Sequence, residues 1–264
     1  MKKLDRVLVT GASGLVGSHV MASLARRGVA ASGLSRRGPD LHVDLLDTAA
    51  LAAVPWASFS HVIHAAAAIP SRTAQLAVNV EGTHNLLEQL PRDLSSLVFV
   101  SSISVAGSSD YAVSKQQAEA RCLDWARAHD VPLAILRPTS IYGLGMAETT
   151  ILSVFLSRAR AGLPLTITAP RDYLQNFIWA QDVAEILVDA ALGLHHGAWE
   201  LSSDDTLDAL ALANLFTSMF GGAVDDQRAP PGGLISSFDN RQVKRDLRAR
   251  FTPIHSALRM FLGH

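Results

Sequence analysis

The chain has 264 residues, 48% hydrophobic and 18% charged, enough to bury one large core and too apolar for a disordered segment. A net charge of −1 gives no electrostatic case for nucleic acid as a partner. A lone cysteine, Cys122, excludes an intramolecular disulfide and a cysteine-rich metal site.

At the N-terminus, Lys2 and Lys3 precede an apolar stretch, as in a secretory signal, but Asp5 and Arg6 interrupt it and glycines follow soon after. The stretch reads instead as a first strand. No uninterrupted apolar run reaches the ~18 residues of a membrane span, so a cytoplasmic location away from membranes is the expectation.

Residues 6–10, Arg-Val-Leu-Val-Thr, form a short apolar run that ends at glycines and suits a buried parallel strand. Residues 14–27 place Leu15, Val16, Val20, Leu24 and Ala25 at helical spacing and close at Gly28. A second strand fits 29–35, with further strands at 58–64, 96–101 and 132–137 and helices between them at 77–90 and 111–129. This alternation predicts an α/β fold, a Rossmann-type doubly wound parallel sheet. After Pro138 the rhythm changes, and helices are expected at 148–161, 181–192, 206–219 and 253–262. The expected division is a dinucleotide-binding unit over 1–145, with 176–200 returning to it, and a small C-terminal substrate-binding subdomain over most of 146–264. The Gly/Pro segment at 229–233 reads as a loop, too short to link independent domains.

The glycines read Gly11-x-x-Gly14-x-x-Gly17, between a strand and a helix. They provide a tight turn, close approach of backbone to a pyrophosphate and close helix–strand packing. The helix N-terminus then offers free N–H groups and a positive dipole to phosphate. An NAD-selective site usually carries an acid about 20 residues further on. Here the second strand ends in Ser35-Arg36-Arg37, a hydroxyl and two guanidiniums suited to a 2′-phosphate. NADP(H) is therefore favoured over NAD(H), the alternative being that Arg36 and Arg37 form a solvated turn.

Downstream, Tyr111 and Lys115 stand four residues apart, which on a helix puts phenol and ammonium on one face. A neighbouring cation favours the phenolate and should draw the phenol's pKa down from about 10 towards neutrality, making a general acid or base.

With these residues assembled, the chain resembles the extended short-chain dehydrogenase/reductase family, also called the NAD-dependent epimerase/dehydratase family. The resemblance runs from Thr10-Gly11-Ala12-Ser13-Gly14-Leu15-Val16-Gly17 through Val43-Asp44-Leu45, His64-Ala65-Ala66-Ala67 and Asn79-Val80-Glu81-Gly82-Thr83. It continues in Val100-Ser101-Ser102-Ile103-Ser104-Val105, the Tyr111–Lys115 pair, Leu136-Arg137-Pro138, Ile141-Tyr142-Gly143 and Phe177-Ile178-Trp179-Ala180-Gln181-Asp182. It implies cofactor contacts from Gly11, Ser13, Gly14, Leu15, Val16 and Gly17, and from Ser35, Arg36 and Arg37 on the second strand. It implies further ones from Asp44 and Leu45, Ala65, Ala66 and Ala67, Asn79, Ser101, Tyr111, Lys115, Pro138 and Thr139. It also implies that Ser102 and Tyr111 hold a substrate oxygen while Lys115 binds the nicotinamide ribose and lowers the Tyr111 pKa.

Departures from the family bear on substrate. Ser102 and Tyr111 are nine residues apart, where the family usually carries a much longer loop. The dehydratases place Asp-Glu after the catalytic hydroxyl, whereas this chain has Ile103-Ser104. An Asn gripping diphosphate in sugar-nucleotide epimerases aligns with Ser140, and an Arg aligns with Gln175. Arg171 is a candidate to compensate, and Arg228 resembles the family's later phosphate-binding arginine.

Other signals carry less. His61 and His64, three apart on a strand end, should point to opposite faces, and no metal site is expected. His195 and His196 read as a cap or turn. The basic run Arg241, Lys244, Arg245, Arg248 and Arg250 reads as a solvated helix face. Leu123 and Trp125 suit core or a dimer seam, and the resemblance implies a homodimer through 77–90 and 111–129. The sequence thus points to an NADPH-dependent ketoreductase acting on a keto sugar nucleotide or a related biosynthetic intermediate. Rival readings are an epimerase retaining NAD, a small-molecule carbonyl reductase, and a dinucleotide sensor without turnover.

Overall fold

In the computed structural model, which describes residues 6–38, 40–68, 77–232 and 237–262, the apolar runs become parallel strands. Lys2, Lys3 and Asp5 of the N-terminal reading, and Gly233 of the Gly/Pro loop, lie outside the described residues. Strand β1 (Arg6–Thr10) leads through the glycine turn into α1 (Leu15–Arg26) and then β2 (Ala30–Ser35) and β3 (Leu41–His42). Helix α2 (Thr48–Ala52) precedes β4 (His61–His64), and α3 (Thr83–Gln89) precedes β5 (Ser96–Val100). The long helix α4 (Asp110–His129) leads to β6 (Leu133–Pro138).

Strands β1 to β6 build a seven-stranded parallel sheet together with β10 (Gly197–Leu201). Its order, β10-β6-β5-β4-β1-β2-β3, turns back at β1, where a dinucleotide-binding crevice opens in such sheets. Valine and leucine fill these strands because both faces are covered. On one face Val7, Val9, Ile63, Val98 and Leu136 pack against α1 and α6 (Ala180–Leu192). On the other, Leu8, Val62, Leu97 and Phe99 pack against α2, α3 and α4. Ion pairs from Arg26 and Arg27 to Glu185 and Asp189 tie α1 to α6 at the surface, where they add little stability.

A separate cluster lies beyond the sheet. It joins Tyr142 of β7 (Ser140–Tyr142), α5 (Ile151–Arg160), β8 (Leu165–Ile167) and Phe177 of β9 (Gln175–Trp179). Helices α7 (Ala209–Phe220) and α9 (Ile254–Leu262) complete it. A three-stranded sheet, β11-β9-β7, uses β11 (Thr206–Leu207), and β12 (Val224–Asp226) pairs with β8. Helix α6 packs on the large sheet and β10 pairs within it, and Val243 of α8 (Arg241–Asp246), Leu247 and Ala249 join the same core.

Several bounds differ from the periodicity reading. The run 58–64 is a strand only from His61, because Trp56–Ser58 forms a 3-10 turn. The helix expected over 77–90 opens with a π turn, Val78–Gly82, a distortion that is rare and often found near functional sites. The helix expected from residue 206 begins after Asp208, whose carboxylate accepts from the Ala211 N–H at 2.7 Å, since Thr206 and Leu207 are drawn into pairing with β9. Strands as short as β7, β8, β11 and β12 carry too few residues to display an alternation.

Candidate active site

The glycine turn is shaped by contact. Gly11 takes φ +69°, and a Cβ on it would sit 2.7 Å from both N and Cα of Ala66. A Cβ on Gly17 would lie 2.2 Å from the Gly11 carbonyl oxygen. Gly14 stands at the N-cap of α1 with no side chain to satisfy the helix's first N–H groups, which leaves them for an anion. A cleft of about 1010 Å³ opens over this turn. Gly11, Ser13 and Gly14 form one wall. Ser35, Arg36, Arg37, Asp44 and Leu45 form the end beyond β2, and Ala65, Ala66 and Ala67 the floor. Leu34, Val43, Ala68 and Val78 also line it, although no sequence signal singled them out. The size, the glycine cradle and the uncapped helix end together fit a dinucleotide.

Three of the expected cofactor contacts have their side chains hydrogen-bonded within the protein. The Ser35 hydroxyl donates to the Arg37 carbonyl at 2.6 Å, beside the exposed Arg36 and Arg37. Asp40, unnoticed in the sequence, accepts from the Gly33 N–H at 2.7 Å and caps the strand edge. Asn79 is buried: its Oδ1 accepts from the Ala68 N–H at 2.8 Å and its Nδ2 donates to Ser114 Oγ at 3.0 Å. Thr139 turns its hydroxyl away, donating to Asn176 Oδ1 at 2.7 Å. Pro138 is buried at the end of β6, and Leu15 and Val16 are half-buried on α1.

Ser101 follows β5, its N–H donating to the Leu136 carbonyl, its buried hydroxyl without a partner among the described residues. Ser102 then caps a 3-10 turn, Ile103–Ala106, with its Oγ accepting from the Ser104 N–H at 3.1 Å. This turn fills most of the short span before α4. Gln116 clamps it, its Nε2 donating to the carbonyls of Val105 at 2.6 Å and Gly107 at 3.1 Å. Ser109 caps α4 through the Ala112 N–H at 3.2 Å, which sets Tyr111 in the first turn.

Ser102 stands near enough to the Tyr111 phenol to favour its phenolate, while its Oγ is bonded to Ser104. Lys115 behaves differently from expectation. Its ammonium is buried, donates to the Val100 carbonyl at 2.7 Å, and sits 4.8 Å from the centre of the Phe99 ring. The Tyr111 pKa is raised, because burial disfavours the phenolate, and the neighbouring Ser102 hydroxyl opposes this. The expected lowering by Lys115 is corrected: four residues on, the ammonium reaches under the helix to the sheet edge. Burial also lowers the Lys115 pKa to about 8, with Cys122 and Glu119 pulling the other way. Glu119 is itself held by Arg137 through two hydrogen bonds, at 2.9 and 2.7 Å.

The residues aligned with substrate contacts share a neighbourhood. Ser140 is exposed on β7 opposite Phe177, and Gln175 pairs with Leu207 across β9 and β11. Gln175 Nε2 donates to the Tyr173 hydroxyl at 3.4 Å. Arg171 is exposed, and its N–H donates to the Ala229 carbonyl at 3.2 Å. Arg228, which resembles the family's later phosphate-binding arginine, is paired with carboxylates of its own chain. Its Nε and Nη2 donate to Asp226 at 2.9 and 3.0 Å, and Nη1 meets Asp208 at 3.4 Å.

The two strand histidines part to opposite faces as expected. His61 Nδ1 bonds Ser96 Oγ at 2.9 Å, and that hydroxyl donates to Ala191 on the α6 side. His64 lies on the α3 side, bonded to Thr10 and Thr83. Burial, with the Lys115 charge facing the ring, lowers the His64 pKa to about 3. The unfolded chain therefore binds a proton that the folded chain refuses between about pH 6.5 and 3. Stability is fully present above that window and should fall by roughly 1.4 kcal/mol per pH unit as pH drops through it. Urea unfolding at several pH values checks this, with His64→Gln expected to flatten the slope.

Residues 7–197 match the model of the NAD dependent epimerase/dehydratase family. The chain is 30% identical over 231 residues to a GDP-6-deoxy-D-mannose reductase of Pseudomonas aeruginosa, covering 73% of this chain and 71% of that protein. It is 33% identical over 175 residues to a ceramide reductase of Caulobacter vibrioides, covering 59% of this chain and 51% of that protein. The chain thus spans about half the length of the latter. The fold superposes on the UDP-glucose 4-epimerase of Thermus thermophilus in complex with NAD, with a TM-score of 0.82, 23% identity and 98% of each chain covered. No described helix is long and apolar enough to cross a membrane.

Proposed function

The chain belongs to the NAD dependent epimerase/dehydratase family of enzymes, and from that premise we propose that it is an NADPH-dependent ketoreductase. The observation that carries this reading is the nearness of the Ser102 hydroxyl to the Tyr111 phenol at the C-terminal edge of the sheet, followed by Ile103-Ser104 in place of an acid–base pair. Two hydroxyls side by side suit one carbonyl oxygen. Elimination would need a carboxyl group at residues 103 and 104, and there is none.

A bound nicotinamide dinucleotide would supply hydride to the carbonyl carbon. Gly11, Gly14 and the start of α1 would hold its pyrophosphate, and Arg36 and Arg37 its 2′-phosphate. Hydride transfer builds negative charge on oxygen, which donors aimed at that point stabilise. Tyr111, kept protonated by its raised pKa, gives its proton to the oxygen. Ser102 turns its hydroxyl from Ser104, now 3.1 Å away, to donate to the same atom. The phenolate left behind takes up a proton from solvent to restore the phenol. The elements clustered beyond the large sheet would supply the substrate-side wall, with Ser140 on β7 and Arg171, Gln175 and Arg228 after it. The substrate class favoured by the relatives is a keto sugar nucleotide, and the ceramide reductase likeness adds a ketone without a nucleotide.

An NADPH-oxidation screen over keto sugar nucleotides and simple ketones tests this reading. NAD retained through purification, with turnover needing no added reductant, would replace it by an epimerase. Arg36→Ala with Arg37→Ala should raise the KM for NADPH roughly tenfold or more and leave that for NADH nearly unchanged, as expected on losing charge-assisted bonds to one phosphate. A wild-type enzyme that prefers NADH would refute the cofactor assignment.

A further inference from the structure

The mechanism leaves a buried polar group unused. His64 is 1% exposed on β4, between the phosphate turn and the helix start that leads to α3. Thr10 and Thr83, its two partners, are buried as well. The direction of every bond around it follows from one fixed end.

The Asn79 carbonyl can only accept, so the Thr83 hydroxyl donates its single hydrogen there, at 2.7 Å. Thr83 Oγ1 must then accept from His64, so Nε2 carries the ring proton in that 2.9 Å contact. Nδ1 is left as an acceptor, and the Thr10 hydroxyl donates to it at 2.6 Å. Thr10 Oγ1 in turn accepts from the Ala66 N–H at 3.2 Å. The chain runs one way, without a break, from Ala66 to Asn79. At Asn79 it divides. Oδ1 accepts from the Ala68 N–H at 2.8 Å, while Nδ2 donates to Ser114 at 3.0 Å. Ser114 has given its own hydrogen to the Tyr111 carbonyl, at 2.7 Å.

We propose that His64, held as the neutral Nε2–H tautomer, is a positioning residue that fixes the Ala65–Ala68 cleft floor and the first turn of α4 relative to each other. Thr10 adjoins Gly11, so one end of the relay is the dinucleotide turn. The other end is the backbone of the residue that carries the phenol. A cationic His64 would put a hydrogen on Nδ1, facing a hydroxyl whose own hydrogen would then have no acceptor among the groups named. Reversing either threonine breaks the chain in the same way. The relay therefore has one arrangement of protons, and it transmits the place of the floor to Tyr111 through five side chains.

This goes beyond the ketoreductase reading, and its test includes a readout that needs neither substrate nor cofactor. Histidine nitrogen NMR of the wild-type protein should give one neutral Nε2–H tautomer for His64, unchanged between pH 5 and 9. Thr83→Val removes the acceptor and the donor at nearly constant volume. It should shift the Tyr111 and Ala68 amide resonances, and lower kcat roughly tenfold or more through misplacement of the phenol. NADPH affinity, measured by nucleotide fluorescence, should change by no more than about threefold, because the lost geometry matters in the transition state. Thr83→Ser should restore both the shifts and the rate. An Nδ1–H tautomer, or Tyr111 and Ala68 resonances unmoved by Thr83→Val, would overturn the proposal. So would a lower melting temperature with kcat per folded site unchanged. Absence of reductase turnover with the expected tautomer and shifts would count against the activity alone.

Discussion

Tyr111→Phe will lower kcat by roughly 10²- to 10⁴-fold, the range for losing a positioned proton donor, with dinucleotide affinity within about twofold of wild type. The substitution removes one oxygen and nothing else. The ring stays in the first turn of a helix whose N-terminus is held by Ser109 and whose next turns are anchored by buried Ala112, Ser114 and Lys115. Among the described residues, the hydrogen bonds that hold the glycine turn and the alanine floor do not involve the phenol oxygen. A burial-raised pKa means that the wild-type phenol is protonated throughout the neutral range, as a donor must be. The rate should therefore not fall near neutrality through loss of the phenol's proton. Steady-state rates from pH 6 to 10, with NADPH binding followed by fluorescence, measure both parts. A Phe variant with undiminished kcat would remove Tyr111 from the chemistry and revive the dinucleotide sensor.

What the sequence made legible and what it hid divide along sequence separation. The glycine turn, the strand runs and the Tyr111–Lys115 spacing are local patterns, and local geometry decides them. The destinations of side chains are not local. Asp226 is a local partner of Arg228, but Asp208, its second partner, lies 20 residues away on another element. Asn79 meets Ser114 across 35 residues, and His64 meets Thr10 across 54. The same limit explains Lys115. Helical spacing correctly gives the face it leaves from, but its ammonium ends at Val100, 15 residues back on a strand whose position is set by the sheet. Short strands such as β7 and β11 exist only because β9 lies between them to pair with, so no window of their own residues could have revealed them.

Gly11→Ala should weaken dinucleotide binding by about 100-fold or more, equivalent to roughly 3 kcal/mol. Two separate costs act at this position. Its φ of +69° lies in the left-handed region, where an L side chain is strained by about 1–2 kcal/mol. The added Cβ would also stand 2.7 Å from Ala66 N and Cα and 2.9 Å from Ala65 C, all backbone atoms of the cleft floor. Flexible side chains could give way, but this backbone cannot. Ala66 N–H is tied to Thr10 Oγ1, and Ala65 N–H to the Thr10 carbonyl. The turn must therefore rise into the space where the pyrophosphate approaches the backbone. Gly28 separates the two costs. It has φ +66° at the end of α1, and a Cβ there meets nothing within 4 Å. Gly28→Ala should thus lose about 1–2 kcal/mol of stability from conformation alone and bind dinucleotide normally. Urea unfolding and NADPH titration of the two variants side by side distinguish strain from close approach. Equal binding by Gly11→Ala and Gly28→Ala would mean that the cofactor does not lie over this turn.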